Sequence, residues 1–531
     1  MFSFRYTTGD FHLRPRVVAL GLCLLLSASV QADDTAPRSE APSPLQQQAL
    51  AAAREYRQAH GPAILRDFAS LLAIPNVARD DENIRRNAQR IRDELTAREV
   101  SARLLEVEGA PPVVFGERNI PGAQRTLAFY VHYDGQPVDE ARWTVPPWQP
   151  TLMSAALETG GEAIPFPEDG APVDPEWRLY ARSAGDDKAP LAALFGALDA
   201  LEAADIEPTV NLKFFFEGEE EVGSPHLEQF ITRYRELLDA DLWLICDGPS
   251  HQSGAPQLVF GVRGYTGFDL TVYGANRYLH SGHYGNWAPN PAQELAQLLA
   301  SLKNDQGRVL IDGFYDSTIP PGAAERAALD RLPVYDEELR RELDLAATEA
   351  DNAPLLDRLL IPSLNVRGMV SGAIGDAARN VIPTEATASL DIRLAKGNDP
   401  VAMLDRVQAH LEGLGYHVVA DEPDGATRRA HPRLVRMVRR IGYPATRTPL
   451  DEPQVRPVAT AMTYAAGQEP LLVPTLGGSL PLYVFVQHLE TPLVVLPIAN
   501  HDNNQHGPDE NLRLANLWLG IDIMATLITM P

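Results

Sequence analysis

The sequence predicts an α/β fold in which a mostly parallel sheet is flanked by helices and interrupted by a smaller, inserted α+β domain. At 531 residues the chain exceeds the length at which one hydrophobic core keeps growing, so more than one folding unit is expected. Short, nearly continuous apolar runs alternate with Ala- and Leu-rich runs, which is the pattern of buried parallel strands joined by helices. From Phe260 onward apolar and polar residues partly alternate, which is typical of strands with one exposed face.

An apolar stretch near the N-terminus predicts export of the protein. Arginines precede the run VVALGLCLLLSASV, and small residues follow as far as Ala32, as in a secretory signal peptide. The run is shorter than the roughly 20 apolar residues that a membrane-spanning helix needs. We therefore predict a signal peptide at residues 1–32, a flexible Pro-rich leader at residues 33–45 and no membrane anchor after cleavage. In a bacterium, this predicts a periplasmic protein.

The composition excludes several classes of partner. The formal net charge is −25, which disfavours nucleic acids and anionic membrane surfaces, because both attract clustered Lys and Arg. Once the predicted signal peptide is removed, Cys246 is the only cysteine, so no intramolecular disulfide is expected. The stability of the mature chain must then come from its apolar core and from any metal that it binds.

Three apolar runs predict the central strands of the first domain. Helical sequence between them, such as APLAALFGALDALEAA, predicts crossover helices, so the strands should be parallel. We assign this catalytic domain to residues 46–257 and, after the inserted domain, to residues 425–531. The predicted strands are TLAFYVH (residues 126–132), TVNLKFFF (209–216) and DLWLIC (241–246).

The inserted domain is predicted at residues 258–424. Its sequence contains strand-like runs such as FGVRGYTGFDLTVYG and EATASLDIRLA and the helix-like run PVAMLDRVQAHLEGL. Residues 303–360 are rich in charge and proline, which predicts an insertion within this domain. From about Arg428 the sequence returns to helical and buried-strand patterns.

Acidic and histidine-bearing clusters directly follow the predicted strands. In open α/β sheets the ligand crevice lies at the carboxyl ends of the strands, so these clusters should meet at one edge of the sheet. Two further clusters open a helix or follow a strand that ends near Ile498. The candidate residues are His132 and Asp134; Glu217 to Glu221; Asp247; Asp186 and Asp187; and His501, His506 and Glu510.

Each cluster also has a purely structural interpretation. Asp186 and Asp187 could complement a helix N-terminus, His132 could be a buried strand-end histidine, and the glutamates could form a solvated loop. Taken together, the carboxylates and imidazoles favour a two-metal site, because such ligands suit zinc and a carboxylate can bridge two ions. His132 and Asp134 are two positions apart, so extended backbone projects both to one side, where Asp134 can hold the ring of His132.

Nine motifs, in order along the chain, resemble those of a known family. They are YVHYDGQPVD, LYARSAGDDKAP, FFFEGEEEVGS, LICDGPS, GVRGYTGFDLTVYG, YLHSGHYGNWAPNP, NVIPTEATASLDIRLA, LGGSLP and QHGPDENL. The sequence thereby resembles the co-catalytic zinc exopeptidases, which include carnosinases, aminoacylases, glutamate carboxypeptidase and succinyl-diaminopimelate desuccinylase. The resemblance covers nearly the whole mature chain and implies that the inserted domain is a lid and dimerisation domain.

The resemblance implies two Zn²⁺ ions and a role for each ligand, with Mn²⁺ and Co²⁺ as alternative metals. Asp186 is similar to the carboxylate that bridges the two ions. His132 and Asp247 resemble the remaining ligands of one ion. Glu221 and His506 resemble the remaining ligands of the other.

Three further residues resemble the catalytic groups of the family. Glu220 is similar to the general base that takes a proton from the water between the ions and returns it to the leaving amine. Asp134 resembles the residue that orients His132. His280 resembles the lid histidine that, in dimeric members, reaches into the active site of the partner to stabilise the oxyanion. The resemblance therefore implies a homodimer.

Five residues resemble positions that hold the substrate. Arg393 is suited to bind a carboxylate, although a salt bridge on the sheet is an equally open interpretation. His283 and His501 match no role in the family and are interpreted as structural. The five residues are Asn380, Arg393, Gly477, Gly478 and Ser479.

The sequence departs from the family pattern at four positions. Ala181 and Ser183 stand where many members have glycine on either side of the arginine before the bridging aspartate, and Ala189 replaces a usual glycine. These changes concern backbone freedom rather than ligands. Asn380 stands where carnosinase-type members often have threonine, so this position departs from that branch.

Asp247, Tyr133 and the run GQPVD most resemble the dipeptidase and carnosinase branch. The sequence therefore predicts a secreted zinc metallopeptidase that releases an amino acid from dipeptides or short peptides. An aminoacylase or deacylase that cleaves N-acyl amino acids is the alternative with the same chemistry. A periplasmic metal- or peptide-binding protein without catalysis is a third hypothesis, which Glu220 disfavours because a binder needs no base beside its metals.

Overall fold

The computed structural model describes residues 41–531. The predicted signal peptide, residues 1–32, and residues 33–40 of the predicted leader lie outside the described residues. No helix within residues 41–531 is both long enough and apolar enough to cross a membrane.

Twenty strands form within the described residues. They are β1 (Ser101–Leu105), β2 (Val113–Arg118), β3 (Thr126–His132), β4 (Thr151–Met153), β5 (Arg178–Tyr180), β6 (Asn211–Glu217), β7 (Leu242–Ile245), β8 (Gln257–Val259), β9 (Gly261–Val262), β10 (Gly264–Tyr273), β11 (Leu279–His280), β12 (Ser363–Val370), β13 (Val381–Ile382), β14 (Glu385–Leu394), β15 (His417–Val419), β16 (Leu434–Tyr443), β17 (Thr446–Arg447), β18 (Leu471–Val473), β19 (Leu493–Val495) and β20 (Asn511–Arg513).

Fifteen α-helices accompany these strands in the same part of the chain. They are α1 (Pro44–Leu72), α2 (Asp81–Ala97), α3 (Ala189–Ala203), α4 (Leu227–Arg233), α5 (Ser281–Tyr284), α6 (Pro291–Leu302), α7 (Ala323–Leu329), α8 (Asp336–Glu342), α9 (Glu349–Asn352), α10 (Leu355–Leu359), α11 (Pro400–Gly413), α12 (Gly425–Ala430), α13 (Arg456–Ala466), α14 (Tyr483–Leu489) and α15 (Leu514–Ile528).

The first sheet has eight strands in the order β1-β2-β6-β3-β7-β19-β8-β18. Its centre is parallel, since β3 pairs in parallel with both β6 and β7, and β7 pairs in parallel with β19. Antiparallel strands β1 and β2 close one edge. The α/β architecture predicted from the sequence is therefore confirmed, and β3 has the predicted bounds of residues 126–132.

Three consecutive phenylalanines in β6 show why the central strands are apolar throughout. Phe214 and Phe216 project into the core cluster beneath α1, α3 and α15, whereas Phe215 projects into the cluster on the opposite face. There the ring of Phe215 lies 6.1 Å from that of Phe485 on α14. A strand that is buried on both faces cannot alternate apolar with polar residues, because every side chain enters a core.

The second sheet has five strands in the order β12-β14-β10-β16-β15. It is antiparallel except for the pair β15 and β16. Helices α6 and α11 cover one face and close a third core cluster. Strand β16 extends this sheet to Tyr443, beyond the boundary predicted at residue 424, because it pairs along most of its length with the central strand β10.

The segment that leads into the second sheet and the segment that leads out of it lie side by side. Strand β9 pairs with β17, so residues 261–262 of the entering segment are hydrogen-bonded to residues 446–447 of the leaving segment. A Cβ on Gly261 would lie 2.2 Å from the carbonyl oxygen of Thr446, and one on Gly264 would lie 2.4 Å from that of Tyr443. Only glycine permits two backbones to approach this closely.

Residues 303–360, predicted as an insertion, connect the two sheets. The beginning of this segment adds Val309 and Phe314 to the core of the second sheet. Its later helices add Leu329 and Leu360 to a core cluster of the first sheet. The segment is therefore packed between the two sheets and is not a free surface loop.

Candidate metal centre

The parallel strands β3, β6 and β7 end at the same edge of the first sheet. His132, the last residue of β3, lies opposite Glu217, the last residue of β6. Asp247 follows two positions after the end of β7. Because parallel strands present their carboxyl ends together, three sequence clusters that are far apart along the chain meet here.

Two groups of possible metal ligands form at this edge. Within each group, one ligand atom from every residue lies within 4.8 Å of those of the other two. His132 Nε2 lies 2.9 Å from Asp186 Oδ1, which joins the two groups. The first group is His132, Asp187 and Asp247, and the second is Asp186, Glu221 and His506.

The structure thus brings together the five residues predicted as metal ligands and adds Asp187 to them. The sequence named Asp187 as a candidate but gave it no role. Its Oδ2 accepts a hydrogen bond from the backbone nitrogen of His132 at 3.3 Å. Burial raises the pKa of Asp187 well above its usual range, and the neighbouring Asp247 raises it further.

The donor set fits divalent metal ions. Asp186 Oδ2 is buried and makes no hydrogen bond of regular geometry, although a histidine nitrogen lies close to it; a buried oxygen in this state is suited to bind a cation. His506 Nε2 lies 3.2 Å from Asp186 Oδ2 and 3.2 Å from Glu221 Oε2. Burial raises the pKa of Asp247 to about 6 and that of Glu221 to about 7, and nearby carboxylates contribute. Cations at this site would relieve that repulsion.

Asp134 holds two parts of the centre at once. Its Oδ1 lies 3.4 Å from His132 Nδ1, as predicted for a residue that orients this ring. The same carboxylate accepts hydrogen bonds from the backbone nitrogens of Glu220 and Glu221, each at 3.1 Å. Burial alone would lower the pKa of His132, but hydrogen bonds to Asp134 and Asp186 outweigh it and raise that pKa well above its usual value.

Glu220 begins the short 3-10 turn Glu220–Val222, which starts three positions after the last residue of β6, Glu217. Its position is set from two sides, because its backbone nitrogen is held by Asp134 and the next residue, Glu221, is held by Gln136 Nε2 at 2.8 Å. Desolvation raises the pKa of Glu220 well above its usual range, and the charges of Asp247 and Glu221 add to that effect. A carboxylate in this environment has a strong tendency to accept a proton.

Glu510 fixes the loop that carries Asp186. Its carboxylate is fully buried and accepts hydrogen bonds from the backbone nitrogens of Ser183 at 2.9 Å, Gly185 at 3.0 Å and Asp186 at 2.8 Å. Arg182 Nη1 donates to it at 2.7 Å. Glu510 was a candidate residue on the basis of the sequence, but no role was predicted for it. Its position four residues after His506, and its acidic side chain, were the available signals.

The same hydrogen bonds explain a departure from the family pattern. Ser183 stands where many members have glycine, and its φ is 62°, in the left-handed region that favours glycine. Its backbone nitrogen is held by Glu510, and its hydroxyl accepts a hydrogen bond from Asn76 Nδ2 at 2.9 Å. The turn at Ser183 is therefore held in place by buried polar contacts.

Two of the residues predicted to hold the substrate contact one another across the two sheets. Arg393, on β14, donates from Nη1 to Ser479 Oγ at 2.8 Å. Its guanidinium lies 5.5 Å from the ring centre of Tyr265 and 3.4 Å from Asp391 Oδ2. The salt bridge considered as an alternative is thus present, but the side chain remains more than a third exposed and keeps donors available for a ligand.

His280 and Asn380 lie next to one another and belong to neither group of possible metal ligands. The backbone nitrogen of Ser281, the residue after His280, donates to Asn380 O at 2.9 Å. The side chains of His280 and Asn380 are exposed. His283, interpreted as structural, stacks near His280 with ring centres 4.5 Å apart. Within residues 41–531 no hydrogen bond joins His280 or Asn380 to the metal ligands. His501 is exposed and is not in either ligand group.

Comparison with protein families gives one match that covers most of the chain. The family described as Peptidase family M20/M25/M40 matches residues 128–530. This range contains all the proposed metal ligands, Glu220 and the whole second sheet.

Several characterised proteins are similar in sequence. A Cys-Gly metallodipeptidase of Schizosaccharomyces pombe is 28% identical over 425 residues, which cover 79% of this chain and 82% of that protein. Human Beta-Ala-His dipeptidase is 25% identical over 421 residues, covering 78% of this chain and 76% of that protein. A cysteinylglycine-S-conjugate dipeptidase of Corynebacterium striatum is 27% identical over 409 residues, covering 75% and 79%.

Solved structures show the same fold. An M20 family metallo-carboxypeptidase from Sulfolobus solfataricus has a TM-score of 0.71 and 27% identity, covering 88% of this chain and 98% of that chain. Human carnosine dipeptidase 1 has a TM-score of 0.65 and 22% identity, covering 90% of this chain and 99% of that chain. At 22% identity, the likeness to human carnosine dipeptidase 1 concerns the fold alone.

We predict that Glu510→Gln weakens metal binding without abolishing folding. The amide would place a donor against the backbone N–H groups that now hold the Asp186 loop, so the loop would lose its fixed position. Loss of a residue that positions a ligand costs about 10- to 100-fold in metal affinity. The measurement is the zinc retained after dialysis against graded chelator concentrations, with Glu469→Gln, at an exposed glutamate, as the control. Thermal unfolding of the metal-free proteins separates metal loss from misfolding. Zinc retention equal to that of the unmodified protein would contradict this role.

Proposed function

The chain belongs to Peptidase family M20/M25/M40, and we propose that it hydrolyses the amide bond of dipeptides or short peptides. The similarity to dipeptidases confirms the resemblance predicted from the sequence. The observation that carries the proposal is the position of Glu220, because Asp134 binds the backbone nitrogen of this residue and also lies against the proposed ligand His132. A protein that only binds metal or peptide has no use for a base in this position.

Two divalent ions complete the proposed centre, and zinc is the metal that the ligand types favour. We propose His132 and Asp247 for one ion, Glu221 and His506 for the other, and Asp186 between them. When bound, the ions lower the pKa of water and polarise the carbonyl group of the substrate. The identity of the metal stays a prediction, as does the export of the protein to the periplasm.

Glu220 transfers the proton in the proposed reaction. Its desolvated carboxylate accepts a proton from the attacking water and passes that proton to the nitrogen of the leaving amine. The turn that contains Glu220 is anchored to Asp134, so the base keeps its position relative to His132 during this transfer. Base and metal ligands therefore share one anchoring residue.

Arg393 and Ser479 are proposed to bind the carboxylate of the substrate. Arg393 comes from the second sheet and Ser479 from a loop that follows β18 of the first. A guanidinium binds a carboxylate through two parallel hydrogen bonds. Free dipeptides and N-acyl amino acids both carry this group, so the aminoacylase alternative uses the same contact and differs at the other end of the substrate.

We also propose a homodimer formed through the second sheet. Strand β12 is an edge strand, and Val366, Met369 and Val370 on it are exposed. An apolar, unpaired strand edge favours association with a second copy. His280 and Asn380 are exposed on the same domain, which supports a role for them at the site of the partner.

Replacement of the base should separate metal binding from turnover. We predict that Glu220→Gln retains both metals and loses about 10²- to 10⁴-fold in kcat, since the amide cannot accept the proton. Steady-state hydrolysis of a dipeptide panel and of N-acyl amino acids, together with metal analysis, provides the measurement. Glu228→Gln, at an exposed glutamate, is the control and should match the unmodified protein. Full activity of Glu220→Gln would refute the proposed role, and cleavage of N-acyl amino acids alone would favour the aminoacylase.

The carboxylate contact predicts a specific loss in the Arg393→Gln variant. A lost charge-assisted hydrogen bond of about 1.5 to 3 kcal/mol corresponds to roughly 10- to 100-fold in kcat/KM. Dipeptide amides, which lack the carboxylate, should be poor substrates of the unmodified protein and should lose little more activity in the variant. Arg429→Gln, at an exposed arginine, serves as the control. An equal loss for dipeptides and their amides would contradict the assignment.

If the protein is a dimer paired through β12, a charged residue on that strand should lower its mass in solution. We expect the unmodified protein to sediment as a dimer and Val370→Lys to sediment as a monomer, because a lysine on an edge strand opposes pairing. Analytical ultracentrifugation is the measurement. Val401→Lys, at an exposed residue on helix α11, should remain a dimer. A monomeric unmodified protein would rule out the proposal.

A further inference from the structure

A cavity of about 340 Å³ lies between residues 303–360 and the second sheet. Its volume falls in the range of sites for small molecules. Buried residues form its inner wall, among them Arg263, which is 5% exposed, and Leu364. Its outer wall contains Leu343, Leu345 and Leu355, which are 55%, 47% and 44% exposed. Leucines this exposed around a cavity leave an apolar surface open to solvent.

Arg263 gives the inner wall a buried positive charge. Its Nη2 donates to Ile361 O at 2.8 Å, to Ser363 Oγ at 3.1 Å and to Arg393 O at 3.1 Å. Its Nε is buried and has no hydrogen-bond partner. None of these contacts is with a carboxylate, and burial together with the neighbouring Arg393 lowers the pKa of Arg263 to about 10. The charge of Asp391 acts on Arg263 from nearby, but no carboxylate is hydrogen-bonded to its guanidinium, and a buried guanidinium in this state favours the binding of an anion.

The acidic residues of the cavity are already engaged with other groups. Glu349 pairs with Lys303 at 2.8 Å, and Glu337 pairs with Arg340 at 2.6 Å. Asp336 Oδ1 accepts a hydrogen bond from the backbone nitrogen of Leu355 at 3.1 Å.

Arg358 also lines the cavity, and within residues 41–531 it takes part in no ion pair that the structure shows. Two guanidinium groups, those of Arg263 and Arg358, are therefore available for an anionic ligand. The lining has four cationic side chains, those of Arg263, Lys303, Arg340 and Arg358, and three carboxylates, those of Asp336, Glu337 and Glu349, so positive charge is in excess by one.

We propose that this cavity binds a small amphipathic carboxylate. The carboxylate group lies against Arg263 with Arg358 beside it, and the apolar chain lies along Leu343, Leu345 and Leu355. This arrangement matches a charged end to the buried guanidinium and an apolar end to the exposed leucines. The site is separate from the metal centre, because none of the metal ligands lines it.

The cavity is connected to the loop that holds the substrate. The backbone nitrogen of Arg263 donates to Gly478 O at 3.1 Å. Leu359, on the cavity wall, lies so close to Gly477 that a Cβ built there would be 3.2 Å from its Cδ2. Occupation of the cavity should therefore change KM for the peptide substrate, a consequence that rests on the proposed function.

Calorimetric titration of the full-length, zinc-loaded protein with octanoate tests the site. We expect saturable binding of octanoate and none of octylamine, which has the same chain with the opposite charge. Leu355→Trp, at an exposed position, should fill the outer part of the cavity and abolish binding. Arg358→Gln should weaken binding about tenfold, the effect of losing one charge-assisted hydrogen bond. Arg341→Gln, which alters an exposed arginine on the neighbouring chain segment outside the cavity, should bind octanoate unchanged.

Two results would overturn the proposal. One is the absence of saturable binding at millimolar octanoate. The other is undiminished binding by Leu355→Trp, which would place the carboxylate at the metal centre instead. Neither measurement depends on peptide hydrolysis, so failure of the site and failure of the proposed function are distinguishable. With binding established, an octanoate effect on KM that is lost in Leu355→Trp supports the connection to the substrate loop, and an unchanged KM overturns that connection.

Discussion

The concentration of negative charge at one edge of the first sheet is the constraint on which the centre depends. Glu221 and Asp247 meet because the parallel strands that precede them end side by side, and the segment before α3 brings Asp186 and Asp187 to the same edge. Buried carboxylates repel one another and lose hydration, so such a cluster is stable only with protons or cations among them. The fold therefore concentrates negative charge that divalent cations would neutralise, before any substrate is present.

Hydrogen bonds from backbone N–H groups fix the segments that carry the charged side chains, which cations alone would not do. Asp134 accepts hydrogen bonds from the turn of Glu220, and Glu510 accepts them from the loop of Asp186. Each of these carboxylates connects segments that are far apart in the sequence. A metal ion attracts any nearby ligand, whereas a carboxylate that receives several directed hydrogen bonds also fixes the orientation of a loop. The rigidity of the centre thus comes from residues that are not themselves proposed ligands.

The features that were predicted from the sequence are each marked by a pattern of neighbouring residues. Strand β3 was predicted with its observed bounds because it is continuously apolar. Most of the proposed ligands were candidates because their motifs directly follow predicted strands, and Asp186 was a candidate because its motif opens a helix. Strand β16 was missed as part of the second sheet because LVRMVRRIGY carries charge on its exposed side and follows a short helix. The role of Glu510 and the packing of residues 303–360 could not be predicted, since both depend on contacts between segments more than a hundred residues apart.

The substrate-binding residues come from two sheets, so their spacing depends on how those sheets are connected. The paired strands β9 and β17 join the chain where it enters and leaves the second sheet, and Gly261 and Gly264 allow these backbones to touch. Because both connecting segments pass the same point, the second sheet could still rotate about that point relative to the first. Residues 303–360 supply a third contact away from it, because they add side chains to the cores of both sheets. A contact away from the crossing restrains rotation about it, so this segment helps to set how closely Arg393 approaches Ser479.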